Sequence, residues 1–412
     1  MKKNLLLIIL IVITQLNLFA QFTTPAELAP YLENPPEIIS KAAVLIDAHT
    51  GSLLYSKNPN EQIPPASLTK LMTMHLVMKE IQAGRASYDE IIPITTESWA
   101  QSQPPRSSLM FLEPGQIVTL REILTGLAVV SGNDAAVAAA LRVAPTVKDF
   151  AAMMNSEARS LGMTVSRFTE PAGISAMNRI TAAEYAVFCR HYIKEHPNAL
   201  NDFHSIQEFA FPAASNVPEA KQRALNTIVQ NNQNVLLKTF PGVDGLKTGF
   251  INESGYNIAL TAQREQTRFV LILLGAPSER GGSRIRAEDS ERLLSWVFDN
   301  FKTVRPNADE IEAARKNYSA RLWKGKDKTV ELKLANNADF TSYVDRAHSL
   351  NYEIVIPELL IAPIPEGCRA GYLYITDDQG ELCRVPLITS RAYKQGNIFK
   401  RLWHSIVLLF KK

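Results

Sequence analysis

The most constraining feature of this sequence is the separation of two pairs of strand-like segments by a long helix-rich stretch. Residues 42–46 and 52–55 are short, apolar and joined through a glycine-containing turn, which is typical of a β-hairpin. Residues 256–262 and 267–274 have the same strand-like character, and helical spacing follows at residues 286–301. Because one sheet that uses both pairs brings the two ends together, we expect an α+β domain with helices around a mostly antiparallel sheet.

The stretch between the two strand pairs shows helical spacing of apolar residues in several places. After two consecutive prolines, one such helix begins near Ser67. Residues 118–130 and 134–143 are two further candidates separated by a short turn, and residues 147–195 are again rich in helical patterns. We therefore expect the helices to be inserted between the first and second pairs of strands.

A change of character after residue 303 indicates a second domain. β-rich runs follow at residues 329–334, 352–355, 371–376 and 383–388. They fit a small all-β domain of about 80 residues. We therefore assign residues 21–303 to the first domain, residues 304–389 to the β domain and residues 390–412 to a C-terminal tail.

The N-terminus has the features of a secretory signal peptide. Lys2 and Lys3 precede an uninterrupted run of nine apolar residues at 5–13, and cleavage after Ala20 fits the pattern. The alternative is a transmembrane anchor, but nine apolar residues are too few for a hydrocarbon core that needs roughly 20. We therefore expect residues 1–20 to be removed and the protein to be exported.

The C-terminal tail combines a basic charge with an amphipathic pattern. Of the formal net charge of +3, residues 1–20 contribute +2 and residues 390–412 contribute +6, so residues 21–389 carry −5. On a helix, one face of the tail would be apolar, with Ile398, Phe399, Leu402, Trp403, Ile406, Leu409 and Phe410. The other face or the end would carry Lys400, Arg401, His404, Lys411 and Lys412. Such a helix is predicted to lie on an anionic membrane surface, and the alternative is a helix docked on its own domain.

The charge, histidine and cysteine content argue against several other functions. The acidic body offers no basic groove, so we expect no nucleic-acid partner. The seven histidines form no His-Glu-x-x-His motif and no Cys-His cluster, so we expect no metal and no cofactor. Cys368 and Cys383 flank a predicted hairpin turn at residues 377–380, whose centre sets Cys383 opposite Tyr374. We therefore expect no disulfide between them.

The predicted helix start carries the first chemical motif. Ser67 and Lys70 are three residues apart, and positions i and i+3 lie on the same side of a helix. A lysine whose pKa is lowered by burial and nearby positive charge can take the proton of a serine hydroxyl and make it nucleophilic. The helix N-terminus adds backbone N–H donors for an oxyanion. For this motif alone, a capping serine beside a solvated lysine is the alternative.

Two further motifs follow in a fixed order. Ser131 and Asn133 place a hydroxyl and an amide on the turn between two predicted helices, an arrangement that a simple capping turn also explains. Lys247-Thr248-Gly249 places a cation and a hydroxyl before a glycine on a predicted strand, where the missing side chain permits close approach of a ligand. Together with Ser-x-x-Lys, these motifs form the set found in β-lactamases and penicillin-binding proteins.

Longer segments around the motifs resemble the serine D-alanyl-D-alanine carboxypeptidases, which are low-molecular-mass penicillin-binding proteins. The resemblance covers essentially the whole mature chain, with family-like segments at residues 65–73, 110–115, 131–135, 243–249, 255–257 and 301–304. It implies a serine β-lactamase/transpeptidase-like domain, then the β domain and an amphipathic membrane anchor. It also implies removal of the terminal D-Ala from peptidoglycan stem pentapeptides through an acyl-enzyme, and acylation by β-lactams.

The resemblance implies a catalytic role for each motif residue. Ser67 would attack the carbonyl of the penultimate D-Ala, with Lys70 as general base. Ser131 would relay protons and assist deacylation, and Asn133 would hold Lys70 and the substrate amide. Lys247 would contribute positive field and proton transfer.

Other residues would bind the carboxylate and the oxyanion of the substrate. The resemblance implies that Thr248 and Arg286 bind the terminal carboxylate and that Gly249 belongs to the substrate-binding strand. The oxyanion hole would use the backbone N–H groups of Ser67 and Phe250. Family members often have a polar residue in place of Phe250, and we expect this departure to tune the rate because the backbone supplies the donor.

Three alternatives stay open on these residues. A class A β-lactamase shares the first and third motifs, but the Glu-x-x-Leu-Asn segment that it typically needs for deacylation does not occur here. A peptidoglycan D,D-endopeptidase of the same superfamily would use the same catalytic residues. A slow-turnover penicillin-binding sensor would be acylated without further turnover. The β domain and the tail favour a carboxypeptidase anchored peripherally on the periplasmic face of the inner membrane.

Overall fold

The computed structural model describes residues 35–410, except residues 220–221, 223–225, 317–319 and 357–358. The described residues form two compact units, the first ending at Val297 and the second beginning at Phe298. The predicted signal peptide lies outside the described residues, as do the last two lysines of the tail.

The first unit is built on a five-stranded sheet. The strands of the unit are β1 (Ala42–Asp47), β2 (Leu53–Lys57), β3 (Glu208–Phe211), β4 (Ile228–Asn231), β5 (Val243–Ile251), β6 (Gly255–Arg264) and β7 (Thr267–Ala276). Strands β3 and β4 pair as a separate hairpin, and the others form the sheet in the order β2-β1-β7-β6-β5. Neighbouring strands of this sheet are antiparallel, and β1 pairs with β7, which confirms that the two strand pairs share one sheet.

Helices surround this sheet, and most of them lie between β2 and β5 in the chain, as predicted. They are α1 (Thr69–Gln82), α2 (Leu120–Ala128), α3 (Asn133–Val143), α4 (Val147–Ser160), α5 (Ala182–Glu195), α6 (Leu236–Thr239) and α7 (Gly282–Asn300). Helix α1 is apolar on several faces, and Leu71, Met74 and Val77 are completely buried. The side chains of α1 from Thr69 to Met78 therefore lie in a low-dielectric environment.

The second unit is rich in short strands, which confirms the predicted β domain. The strands are β8 (Phe301–Val304), β9 (Ala320–Trp323), β10 (Thr329–Val330), β11 (Leu332–Leu334), β12 (Phe340–Tyr343), β13 (Asn351–Val355), β14 (Leu360–Ile361), β15 (Arg369–Asp377) and β16 (Gly380–Thr389). The largest sheet has the order β11-β16-β15-β13. The unit also contains helix α8 (Ala308–Lys316), which the pattern analysis did not predict, although Asn307 Oδ1 caps it by accepting from Asp309 N.

The hairpin of β15 and β16 corrects one expected register. Cys383 pairs with Ile375 and not with Tyr374, because a β-bulge between Ile375 and Thr376 shifts the ladder by one residue. The turn itself lies where it was predicted, since Asp377 pairs with the first residue of β16. All three cysteines of the chain are free.

Helix α9 (Ile398–Leu409) leaves its apolar face exposed and packs through the opposite face. His404, predicted on the polar side, is buried there: its ring lies against Trp323, and its Nδ1 accepts from Lys324 N at 2.7 Å. The exposed apolar side chains are Ile398, Phe399, Leu402, Trp403, Ile406, Leu409 and Phe410, each at least 50% accessible. Among the residues that the structure describes, no helix is both long and apolar enough to cross a membrane.

Candidate active site

Ser67 lies on a single 3₁₀ turn, Ala66–Leu68, that runs directly into α1. Ala66 has a φ of +51°, a left-handed backbone conformation that is uncommon for a residue with a side chain. Ala66 and Leu68 are buried, whereas Ser67 between them is partly accessible. The neighbours therefore anchor a strained turn that leaves the serine hydroxyl within reach of a ligand.

Lys70 lies at the start of α1 and is completely buried. Its Nζ donates to Ser67 Oγ at 3.0 Å and to Asn133 Oδ1 at 2.8 Å. It also donates to the carbonyl oxygen of Ala172 at 2.5 Å. The structure thus brings together three of the predicted site residues, Ser67, Lys70 and Asn133, around one amine.

Burial has a large effect on the ionisation of this amine. Removal from water lowers the pKa of Lys70 from 10.5 to about 7, and the nearby carboxylates of Glu170 and Asp134 oppose that change. A large part of the Lys70 population is therefore neutral near pH 7, and neutral Lys70 can take the proton of Ser67.

Ser131 lies on the turn between α2 and α3, as predicted, and Asn133 is the first residue of α3. Ser131 has a φ of +60°, and its Oγ is buried without a hydrogen-bond partner among the described residues. Only glycine fits at position 132, because a Cβ on Gly132 would lie 2.9 Å from Met110 N. A buried hydroxyl without a partner is costly, and such groups are frequently reserved for a ligand or for proton transfer.

Lys247, Thr248 and Gly249 lie on a strand, as the third motif predicts, and that strand, β5, is one of the two edges of the sheet. Lys247 is buried, and its Nζ donates to the carbonyl oxygen of Thr248 at 3.1 Å. A Cβ on Gly249 would lie 2.8 Å from Pro65 O and 3.0 Å from the backbone nitrogen of Ser67. Glycine is therefore what allows β5 to lie directly against the serine turn.

Phe250 follows on the same strand and is 40% exposed. Its ring packs on Tyr256 with a centroid separation of 4.3 Å. Gly249, the residue before Phe250, lies against the backbone of Ser67, so the oxyanion hole expected from the backbone N–H groups of Ser67 and Phe250 stays a prediction that this strand position favours.

Arg286 lies near the start of α7 and is only 4% exposed. Its Nη2 donates to Gln233 O and to Ser283 Oγ at 3.5 Å, whereas its Nε has no hydrogen-bond partner among the described residues. Its guanidinium carbon lies 5.8 Å from the ring centre of Tyr256. Burial lowers the pKa of Arg286 to about 10. The pKa of Lys247 falls well below its ordinary value through burial and through the charges of Lys70 and Arg286. Neither Lys247 nor Arg286 has a carboxylate partner among the residues that the structure describes, so the two cations are available to an anion.

The carboxylates of Asp134 and Glu170 were not predicted as site residues, and both hold backbone segments next to the catalytic residues. Asp134 accepts from Met110 N at 2.9 Å and from Leu112 N at 3.0 Å, which ties that segment to the Ser131–Asn133 turn. Glu170 holds the loop whose carbonyl, at Ala172, contacts Lys70. Asp134 accepts from backbone N–H groups, and Glu170 accepts from backbone N–H groups and from the side-chain amide of Asn178, so neither carboxylate belongs to a motif that the sequence reveals.

One cluster outside the site has metal-ligand chemistry. His75, Glu157 and His191 offer ligand atoms within 4.8 Å of one another. However, His75 Nε2 bonds to Glu157 at 3.0 Å, and Lys79 Nζ occupies both oxygens of that carboxylate at 2.8 Å. Gln82 Nε2 donates to Glu195 O and to His196, which leaves His196 to donate to His75 Nδ1 and His75 Nε2 to donate to Glu157. The ligand atoms of His75 and Glu157 are therefore already used in contacts that join α1, α4 and α5.

The catalytic geometry defines a class of enzyme. A serine hydroxyl bonded to a partly neutral lysine can attack a carbonyl, and two backbone N–H groups can hold the oxyanion. Two unpaired buried cations favour a substrate that carries a carboxylate. Together with the fold, these features define a serine acyl-enzyme that uses a lysine as its base.

Comparison with known proteins agrees with this class. Residues 30–278 match the model of the peptidase S11 family, D-alanyl-D-alanine carboxypeptidase, and residues 307–395 match that of the penicillin-binding protein 5 C-terminal domain. The D-alanyl-D-alanine carboxypeptidase DacD of Escherichia coli strain K12 is 33% identical over 386 residues, which are 92% of this chain and 92% of the relative.

Solved structures give the same result. Penicillin-binding protein 5 from Haemophilus influenzae has a TM-score of 0.75 and 26% identity, covering 88% of this chain and 99% of that chain. Penicillin-binding protein D2 from Listeria monocytogenes, in its cefotaxime-bound form, has a TM-score of 0.54 and 25% identity, and the match covers 64% of this chain and 98% of that chain. This chain belongs to the D-alanyl-D-alanine carboxypeptidase family, and the predicted fold, family and serine carboxypeptidase activity are confirmed.

Proposed function

We propose that Ser67 is the nucleophile of this carboxypeptidase and that Lys70 is its general base. The observation that carries the proposal is the position of Lys70 Nζ, which is buried, has a pKa of about 7 and lies 3.0 Å from Ser67 Oγ. Neutral Lys70 takes the hydroxyl proton while Ser67 Oγ bonds to the carbonyl carbon of the penultimate D-Ala. The backbone N–H groups of Ser67 and Phe250 hold the oxyanion.

Collapse of the tetrahedral intermediate breaks the peptide bond and leaves an ester on Ser67. The departing D-Ala amine receives the proton that Lys70 took from Ser67, and we assign the relay of this proton to Ser131, whose buried hydroxyl has no hydrogen-bond partner among the described residues. Water then hydrolyses the ester, with Lys70 and Ser131 again passing the proton. Asn133 holds Lys70 in position through its Oδ1 and leaves its amide nitrogen for the substrate.

The substrate class follows from the unpaired cations. Peptidoglycan stem pentapeptides end in D-Ala-D-Ala and carry a free carboxylate on the departing residue. We assign that carboxylate to Thr248 and Arg286, with Lys247 as a nearby positive charge. β-Lactams also carry a carboxylate next to the reactive amide, so they would acylate Ser67 through the same contacts.

A direct test measures D-Ala release from a pentapeptide that ends in D-Ala-D-Ala. The purified protein lacking residues 1–20 is compared with the same protein after treatment with penicillin. Release that penicillin stops supports the proposal. Stable penicillin labelling without release favours a sensor or a D,D-endopeptidase, and cross-linked muropeptides separate these two because only the endopeptidase cleaves them.

We also propose that the protein is exported and that α9 anchors it peripherally on the periplasmic face of the inner membrane. The support is the exposed apolar face of α9, which includes Phe399 at 79% and Trp403 at 64% accessibility. Lys400 and Arg401 lie on the same helix and would attract anionic lipid headgroups. A helix with these properties lies in the membrane interface and does not cross it.

Flotation with vesicles tests the anchor. The protein should bind vesicles that contain anionic lipid and should bind neutral vesicles less well. The double variant Phe399→Ser/Trp403→Ser should lose binding, whereas Val355→Ser, which changes an exposed apolar residue on β13, should keep it. Equal binding of all three proteins would contradict the proposal.

A further inference from the structure

Glu170 has an unusual set of contacts in the loop between α4 and α5. Its Oε2 accepts from Ala172 N at 2.6 Å, and its Oε1 accepts from Gly173 N at 2.8 Å and Ser175 N at 3.2 Å. Asn178 Nδ2 is the fourth donor to the carboxylate and bonds to Oε1 at 2.9 Å. Because both oxygens are occupied by N–H donors, this carboxylate is suited to holding the loop and not to activating a water molecule.

The loop that Glu170 organises is attached to α1 at the catalytic end of that helix. The carbonyl oxygen of Ala172 accepts from Lys70 Nζ, and the carbonyl oxygen of Pro171 accepts from Thr73 Oγ1 at 2.7 Å. The two bonds join consecutive loop residues to positions three residues apart on α1, which lie on the same side of the helix. The loop therefore has a defined register on the face that carries the amine.

The same loop touches the turn that carries the nucleophile. Gly173 has a φ of +81°, and a Cβ there would lie 1.9 Å from Ala66 O and 2.9 Å from Ser67 N. The backbone N–H of Gly173 is one of the donors to Glu170. A single carboxylate thus fixes one loop residue against Lys70 and the next against Ser67.

We propose that Glu170 is a positioning residue, whose carboxylate shapes the loop so that the carbonyl of Ala172 holds the amine of Lys70 beside Ser67. The inference rests on the proposed role of Lys70 as the general base. Glu170 itself does not touch the substrate and acts through Ala172.

The charge of Glu170 also acts on Lys70. The ionisable groups around that amine are the carboxylates of Asp134 and Glu170, which raise its pKa, and the amine of Lys247 across the site. Loss of Glu170 removes one of two anions and loosens the Ala172 carbonyl, and both changes destabilise the ammonium form. The pKa of Lys70 should therefore fall, so the acid limb of the rate profile should move to lower pH.

The experiment compares Glu170→Gln with the native enzyme and with Glu184→Gln. Glutamine has one acceptor oxygen and cannot hold all the loop N–H groups. Glu184 is a matched control, because its carboxylate also holds loop N–H groups, at Val165 and Ser166, but it is not among the charges that affect Lys70. Rates of D-Ala release are measured across the pH range and divided by the number of sites titrated with penicillin.

For Glu170→Gln we expect kcat per titrated site to fall at least about tenfold, with a smaller change in KM, because the base is misplaced. The acid limb should move to lower pH by about half a unit or more. Glu184→Gln should keep the native midpoint of the acid limb in the pH–rate profile. A Glu170→Gln enzyme whose kcat and acid-limb midpoint are both native would overturn the proposal. A variant with fewer penicillin-titratable sites would also overturn it if kcat per site and the acid-limb midpoint stayed native in the sites that remain.

A second variant keeps the test decisive if Glu170→Gln does not fold. Glu170→Asp retains the charge but shortens its reach, so kcat should fall while the midpoint shifts less than in the glutamine variant. Native kcat in Glu170→Asp would overturn the positioning role. Failure of the native enzyme to release D-Ala would instead contradict the proposed function, which separates the two conclusions.

Discussion

Two buried arginines, one in each unit, have opposite surroundings. Arg346 in the β domain has an 8% exposed side chain, and its Nε donates to Asp377 at 2.9 Å, which holds the pKa of that carboxyl at about 2. Arg286 in the candidate active site is equally buried, yet its Nε has no partner among the residues that the structure describes, and burial lowers its pKa to about 10. The β domain pairs its buried cation, whereas the active site leaves one unpaired.

The difference shows how a structural charge can be told from a functional one. Burying a cation without a counter-ion costs free energy, and a fold that only needed stability would pair it or replace it. Lys247 adds a second buried basic group, which has no carboxylate partner among the described residues. We infer that the active site keeps this unfavourable arrangement for the carboxylate of the substrate, and the following predictions test that distinction.

The largest effect is expected from Arg346→Ala, which removes the cation that pairs with the buried Asp377 carboxylate and leaves it only the backbone N–H groups of Ala347 and Gln379. We expect the free energy of unfolding of the second unit to fall by about 3–5 kcal/mol. Urea denaturation measures this loss, and D-Ala release per penicillin-titrated site should stay at the native value. The double variant Arg346→Met/Asp377→Leu should recover much of the stability, and native stability in Arg346→Ala would show that the pair is not structural.

Arg286→Ala should show the reverse pattern. The value of kcat/KM for peptides ending in D-Ala-D-Ala should fall about 10- to 100-fold, because a charge-assisted contact to the carboxylate is worth about 1.5–3 kcal/mol. The melting temperature should not fall, since an unpaired buried cation is removed. A peptide with a C-terminal amide serves as the control substrate, and an equal loss of kcat/KM on both peptides would remove Arg286 from carboxylate recognition.

The pH dependence should separate the two regions. Lys70 must be neutral to act as a base, so kcat/KM should be half-maximal near its pKa of about 7 and fall as the pH drops below that value. Asp377 has a folded pKa of about 2, below its ordinary 3.8. Its stabilisation is therefore complete above 3.8 and is lost only as the pH falls through about 2. Rate profiles and acid unfolding curves with one shared midpoint would contradict this separation.

The smallest effect is expected from Phe250→Ala. The variant loses the ring contact with Tyr256, worth about 0.5–1.5 kcal/mol, but keeps the backbone N–H that we assign to the oxyanion hole. We therefore expect kcat/KM to change by less than about tenfold. Phe250→Leu, which retains an apolar side chain, is the control, and a loss as large as that of Arg286→Ala would assign Phe250 a direct role in substrate binding.

The sequence alone predicted those parts of the site that depend on local spacing. Ser67 and Lys70 are joined by a helical turn, and Ser131 and Asn133 by a tight turn, so their proximity follows from secondary structure. The order of strands and helices also predicted the sheet, since β1 and β7 pair across most of the first unit.

Contacts made by the backbone or by long-range packing could not be predicted. Glu170 acts on backbone N–H groups, and Ala172 contributes a carbonyl that any residue could supply. The register of Cys383 depended on a β-bulge, and the burial of His404 depended on packing against Trp323. None of these features produces a periodic or motif signal in the chain.

The most direct test of the central claim locates the residue that penicillin acylates. The native protein and Ser67→Ala are incubated with benzylpenicillin, and the adduct is mapped by mass spectrometry of the digested protein. We predict one adduct per native chain on the peptide that contains Ser67, and no adduct in a Ser67→Ala protein that melts at the native temperature. An adduct on another residue, or undiminished labelling of Ser67→Ala, would contradict the assignment of Ser67 as the nucleophile.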